Sequence, residues 1–127
     1  MFESIRIRAM DGPTLTQMAF DLGLAPEGST VYKHHYGTCI LLDEDYGQRW
    51  EPHENLQQSE AVFRRLRTKG WHCARSYSPH SGAVSCARGP IYDSHVTITV
   101  HFGLGCADTE AMALLRCAVL AMAPGGP

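Results

Sequence analysis

The chain has 127 residues, 44% of them hydrophobic and 19% charged, which is enough for a single domain with its own core and excludes both a disordered chain and a pair of domains. A formal net charge of −2 with seven neutral histidines excludes a broad field for nucleic acid or an anionic membrane. No apolar run approaches the roughly 20 residues needed to cross a bilayer, and residues 1–6 hold no signal-peptide core, so the expected location is the cytoplasm and no membrane partner is expected.

In residues 4–9, Ile5 and Ile7 alternate with polar neighbours, which predicts a short strand with both inward. Asp11-Gly12-Pro13 is a turn into a helix, with Pro13 where its missing N–H costs nothing. Leu15, Met18, Ala19 and Leu22 give that helix its apolar side, and Gly23 and Pro26 end it. Residues 31–36 and 38–42 are β-prone around Gly37 and read as a hairpin, followed by the acidic loop Asp43-Glu44-Asp45-Tyr46-Gly47. Asn55, with Gln58 three residues on, has the capping-box pattern of a second helix. Leu56, Ser59, Val62, Phe63 and Leu66 form its stripe, and Lys69-Gly70 its end. Trp50 and Trp71, on either side of it, are expected in the core.

Residues 71–77 and 83–87 flank the turn-like Ser78-Pro79-His80-Ser81-Gly82 and predict a second hairpin. Gly89-Pro90 interrupts the ladder before residues 95–102, where Val96, Ile98 and Val100 alternate with polar residues as in a half-buried strand. In residues 108–122, Ala111, Leu114, Leu115, Ala118, Val119 and Met122 line one side of a helix, with Asp108 as expected N-cap and Pro124-Gly125-Gly126 as its stop. Hairpin-length connections require antiparallel pairing. The expected fold is therefore one α+β domain, an antiparallel sheet packed with about three helices.

Gly12-Pro13-Thr14-Leu15-Thr16-Gln17-Met18-Ala19, Trp50-Glu51-Pro52 with Asn55, Lys69-Gly70-Trp71, and residues 108–118 together resemble small bacteriophage proteins carrying the phage ABA sandwich domain. These segments cover about half the chain. The resemblance implies a phage or prophage origin and an α/β sandwich, and it brings no catalytic residue to carry over.

The five cysteines, Cys39, Cys73, Cys86, Cys106 and Cys117, lack the paired spacing of a secreted disulfide framework, so free thiols are expected. Cys73 and Cys86 flank a turn and are the pair that could face each other. The histidines have no ligand spacing: His34 and His35 point to opposite faces of a strand, and His95 and His101 lie six residues apart. No metal or other cofactor is expected, and no nucleophile elbow, P-loop or HExxH motif indicates catalysis. Arg64, Arg65, Arg67 and Lys69 read as a solvated helix face.

Two functional expectations lead, and a weak hydrolase using Cys106 or a histidine is a third. One is a non-enzymatic phage-encoded binding protein acting on a host protein or defence complex, for example as an inhibitor of an anti-CRISPR-like kind. Its contact residues would be Tyr32, His34, His35, Tyr36, Asp43, Glu44, Asp45 and Tyr46. The other is a small-ligand or nucleotide-binding domain whose anion site is the strand-to-helix turn with Gly103, Gly105, Cys106 and Asp108. Nucleic acid is not an expected direct ligand, and a homodimer is compatible with either.

Overall fold

The computed structural model describes residues 2–34, 37–43, 48–88 and 96–123. In chain order they form α1 (Phe2–Ala9), α2 (Gly12–Asp21), β1 (Thr30–His34), β2 (Gly37–Asp43), β3 (Gln48–Arg49), α3 (Leu56–Thr68), β4 (Trp71–Ser78), β5 (Ser81–Arg88), β6 (Val96–Gly103) and α4 (Glu110–Met122). The fold is α+β, with two three-stranded antiparallel sheets ordered β1-β2-β3 and β4-β5-β6. The expected interruption at Gly89-Pro90 and the start of the next strand at His95 lie outside the described residues.

Alternation in β6 works as its sequence dictates: Ile98, Val100 and Phe102 are buried while Thr97, Thr99 and His101 are exposed. The same face continues across β5 through Val84 and Cys86 and across β4 through Trp71 and Cys73. Helices α3 and α4 cover this face: α4 packs on β5 and β6, α3 packs on β4, and the two helices touch each other. The Ser59 hydroxyl donates to the Ala111 carbonyl (2.5 Å) and so joins the two helices inside the core. At the rim, Arg75 of β4 bridges Glu60 of α3 and Glu110 of α4 (2.9 and 3.1 Å), and the Tyr77 hydroxyl also donates to Glu110.

Three sequence expectations are corrected. Residues 2–9 form a helix where the Ile5 and Ile7 alternation predicts a strand. On a strand both isoleucines would face one side, whereas on a helix they diverge, and Ile7 is 0% exposed while Ile5 is 62% exposed. The end of this helix is held by α4, where Arg116 donates to the Ile7 carbonyl. Helix α4, expected to bury one stripe, is buried at Ala111 and throughout residues 113–121. It also packs against α1 and α2, so helices and sheet together surround it.

The third correction concerns its cap. Thr109, not Asp108, accepts the N–H of Met112 (3.2 Å). Asp108 is taken by Arg116, whose Nε and Nη2 donate to the two carboxylate oxygens (2.9 and 3.0 Å). The Nη1 of the same guanidinium donates to the carbonyls of Ile7 and Met10 (2.7 and 2.9 Å), a cation at the negative end of α1.

Candidate functional site

The β1–β2–β3 sheet joins the body through Ile40 of β2 and Trp50, just after β3, which enter the common core, and the Trp50 N–H donates to the Ile40 carbonyl (2.7 Å). On the neighbouring strand, Val31 and Tyr32 of β1 remain 39% and 54% exposed. Register pairs Val31 with Ile40 and Tyr32 with Cys39, so β2 is anchored at its middle through Ile40 while the strand beside it presents apolar and aromatic surface. Because the strand order is β1-β2-β3, β1 has no further strand on its outer side among the described residues.

A cleft of about 710 Å³ opens between this sheet and α2. Thr14, Thr16 and Gln17 of α2 form one wall, Cys39 and Ile40 another, and the stretch from Arg49 to His53 the third. The Thr16 hydroxyl lies 2.8 Å from His53 Nδ1, and His53 Nε2 lies 3.8 Å from Glu54. This resembles the start of a relay, but Thr16 is only 5% exposed and no third group among the described residues is shown orienting His53 as a base for it. The contact instead ties the approach to α3 against α2. It depends on Gly12: a Cβ there would lie 2.6 Å from the His53 ring. Gly12→Ala is expected to destabilise the protein by about 1–3 kcal/mol. Removing the ring in Gly12→Ala/His53→Ala should make the two costs less than additive in urea unfolding.

At the entrance to α2, the Asp11 carboxylate accepts the Thr14 N–H (3.0 Å), and hydrogen bonding from Thr14 holds its pKa below the ordinary carboxylate value. The stability this cap contributes is present above the unfolded-state pKa and is lost as pH falls through the lowered folded value. At α3, Asn55 caps the Gln58 N–H as expected (3.0 Å). Gln58 departs from the reciprocal half of the box: its Oε1 accepts the Glu51 N–H (2.6 Å) and its Nε2 donates to the Arg49 carbonyl (3.0 Å). That side chain fixes the third wall of the cleft.

Three of the eight predicted contact residues fall among the described ones. Tyr32 and His34 lie on β1, with His34 paired to Gly37 at the hairpin end. Asp43 closes the far end of β2, six residues on and roughly 20 Å away at strand rise. His35, Tyr36, Glu44, Asp45 and Tyr46 lie outside the described residues.

At the alternative site, Gly103, Leu104 and Cys106 donate their N–H groups to the carbonyls of Asp108, His80 and Gly103, and the Asp108 carboxylate holds Arg116. These N–H groups are therefore already committed, although a cavity of about 680 Å³ adjoins Cys106 and Asp108. All five cysteines are free thiols, and no three His, Cys, Asp or Glu side chains are gathered for a metal among the described residues. No helix there is long and apolar enough to cross a membrane. Compared with known proteins, the chain matches no family model, no curated protein and no solved structure.

The cleft was not legible in the sequence. His53, Thr16 and Gln58 come from separate elements, with no spacing that links them. The one available signal was the polar run Glu51-Pro52-His53-Glu54 beside a tryptophan ahead of a capped helix.

Proposed function

We propose that the protein is a non-enzymatic, phage-encoded binding protein that acts on a host protein, such as a component of a bacterial defence complex, and grips it along β1. The observation that carries this reading is the pair Val31 and Tyr32, exposed on β1, which has no further strand on its outer side among the described residues. An open edge offers backbone donors and acceptors to an extended partner segment, and exposed apolar side chains supply contact area. The resemblance to phage ABA sandwich proteins supports the origin and the class of partner.

The test uses the wild-type chain and Val31→Ser/Tyr32→Ala as paired baits in host lysate. Both positions are exposed, so the variant should fold with stability within about 0.5 kcal/mol of wild type. A host protein retained by wild type should be lost, or weakened at least tenfold, with the variant. Equal retention by both, or by neither, overturns the reading. A second reading, a small ligand beside Cys106, draws on the adjoining cavity. A rise in melting temperature with nucleotides, left unchanged by Val31→Ser/Tyr32→Ala, would favour it.

A further inference from the structure

Three thiols converge in the middle of the fold. Cys73 of β4 is the register partner of Cys86 of β5, and Cys86 Sγ lies 3.3 Å from Cys117 Sγ of α4. The ladder defines the first pair more closely. Ser78 and Ser81 close a two-residue turn and so form a hydrogen-bonded pair. Bonded and non-bonded pairs alternate along an antiparallel ladder. Counting back, 76/83 and 74/85 are bonded, whereas 77/82, 75/84 and 73/86 are not.

An independent contact agrees: the Cys73 carbonyl accepts from Arg67 Nη2 (3.4 Å), as it can when it faces away from β5. A non-bonded antiparallel pair brings its Cα atoms to about 4.5 Å, inside the roughly 4.4–6.8 Å span of disulfides. The two side chains share a face, so a disulfide needs χ1 rotation and a small approach of the two Cβ atoms, which in directly opposite strand residues lie about 4.5–5.5 Å apart against roughly 3.5–4.5 Å in a disulfide.

Access separates the three sulfurs. Cys86 and Cys117 are buried whereas Cys73 is half-buried, and a cavity of about 840 Å³ at the β4 edge is lined by both Cys73 and Cys86. Arg67 and His72 line that cavity beside Trp71. A bulky oxidant can therefore meet Cys73 first, and the cationic guanidinium suits one that carries carboxylates.

We propose that Cys73 and Cys86 form an oxidisable cross-strand dithiol whose oxidant is the low-molecular-weight disulfide of an acidic thiol. The Cys73 thiolate attacks one sulfur of the small disulfide, the S–S bond breaks, and one molecule of small thiol leaves as its thiolate. Cys86, having given up its proton, then attacks the Cys73 sulfur of the mixed disulfide and expels the second small thiol. The two cysteines lose two electrons and two protons in all, and the small disulfide is reduced to two thiols. Burial and the neighbouring Cys86 push the Cys73 thiol up to about 11 against the opposing effect of Arg67, so little thiolate is present at neutral pH and the exchange is slow.

The experiment incubates the reduced protein with oxidised glutathione, quenches with acid, and maps the peptides by mass spectrometry. Wild type is expected to lose two hydrogens with a linkage between the Cys73 and Cys86 peptides. Cys86→Ala is expected to stop at one glutathionyl group on Cys73, and Cys73→Ser to show neither product. The map keeps these products apart from any adduct on the exposed Cys106. An unmodified Cys73, a mixed disulfide at Cys73 that persists in wild type, or a Cys86–Cys117 linkage would each overturn the proposal. If Cys86→Ala does not fold, judged by its near-ultraviolet circular dichroism, the wild-type linkage map decides alone.

Discussion

Arg116→Met is expected to lower unfolding stability by about 3–5 kcal/mol, the cost of removing one partner from a buried, hydrogen-bonded ion pair. Arg116 is 6% exposed and all three of its side-chain nitrogens are engaged, with two bonds to Asp108 and one each to Ile7 and Met10. Methionine fills most of the volume, so the loss reports the groups left behind: a largely buried carboxylate and two helix-end carbonyls without their donor. Asp108→Asn in the Arg116→Met background should recover part of the loss, because a neutral amide costs less to bury than an unpaired carboxylate. Urea unfolding followed by far-ultraviolet circular dichroism measures both. A loss below about 1 kcal/mol for Arg116→Met would mean that the guanidinium does not organise this junction.

Trp50→Ala should cost a comparable amount, about 3–5 kcal/mol, through lost burial and the cavity left behind. Trp50 is 1% exposed and is among the largest fully buried side chains. It belongs to no helix or strand, yet it links the end of β3 to the stretch that opens α3, with its N–H on Ile40. The expected consequence reaches beyond stability. Protection from hydrogen exchange should fall first at the amides of β1–β2–β3, since Ile40 and Trp50 fasten that sheet to the core. A uniform loss of protection across β4–β6 and α4 as well would place Trp50 in the global core rather than at the fastening. The two substitutions act on different joints, Arg116 between α4 and the end of α1, Trp50 between the small sheet and the body. Their effects should therefore be nearly additive.

Both joints show what local pattern can and cannot convey. Period-two alternation in residues 96–103 and the spacing of Ser59, Val62, Phe63 and Leu66 in α3 reflect local geometry, because one face of each meets the core. The same reasoning misplaces residues 2–9, where the alternating isoleucines are compatible with a strand until something must accept from Arg116. A lone arginine inside the apolar run of α4 was the visible trace of that junction. Its partner Asp108 reads first as a helix cap because caps are set by neighbours and ion pairs by distant packing.

Composition, hydrophobic periodicity and turn residues were sufficient by themselves to determine an α+β chain with antiparallel hairpins and a terminal helix lodged against a sheet, since each depends on residues near one another in sequence. Tertiary packing alone decided that α4 is enclosed by both helices and sheet, that Asp108 serves Arg116, and that His53 closes on Gly12 and Thr16. Those contacts join residues far apart along the chain, and the free energy that selects them arises only when the burial and pairing of several elements are satisfied together.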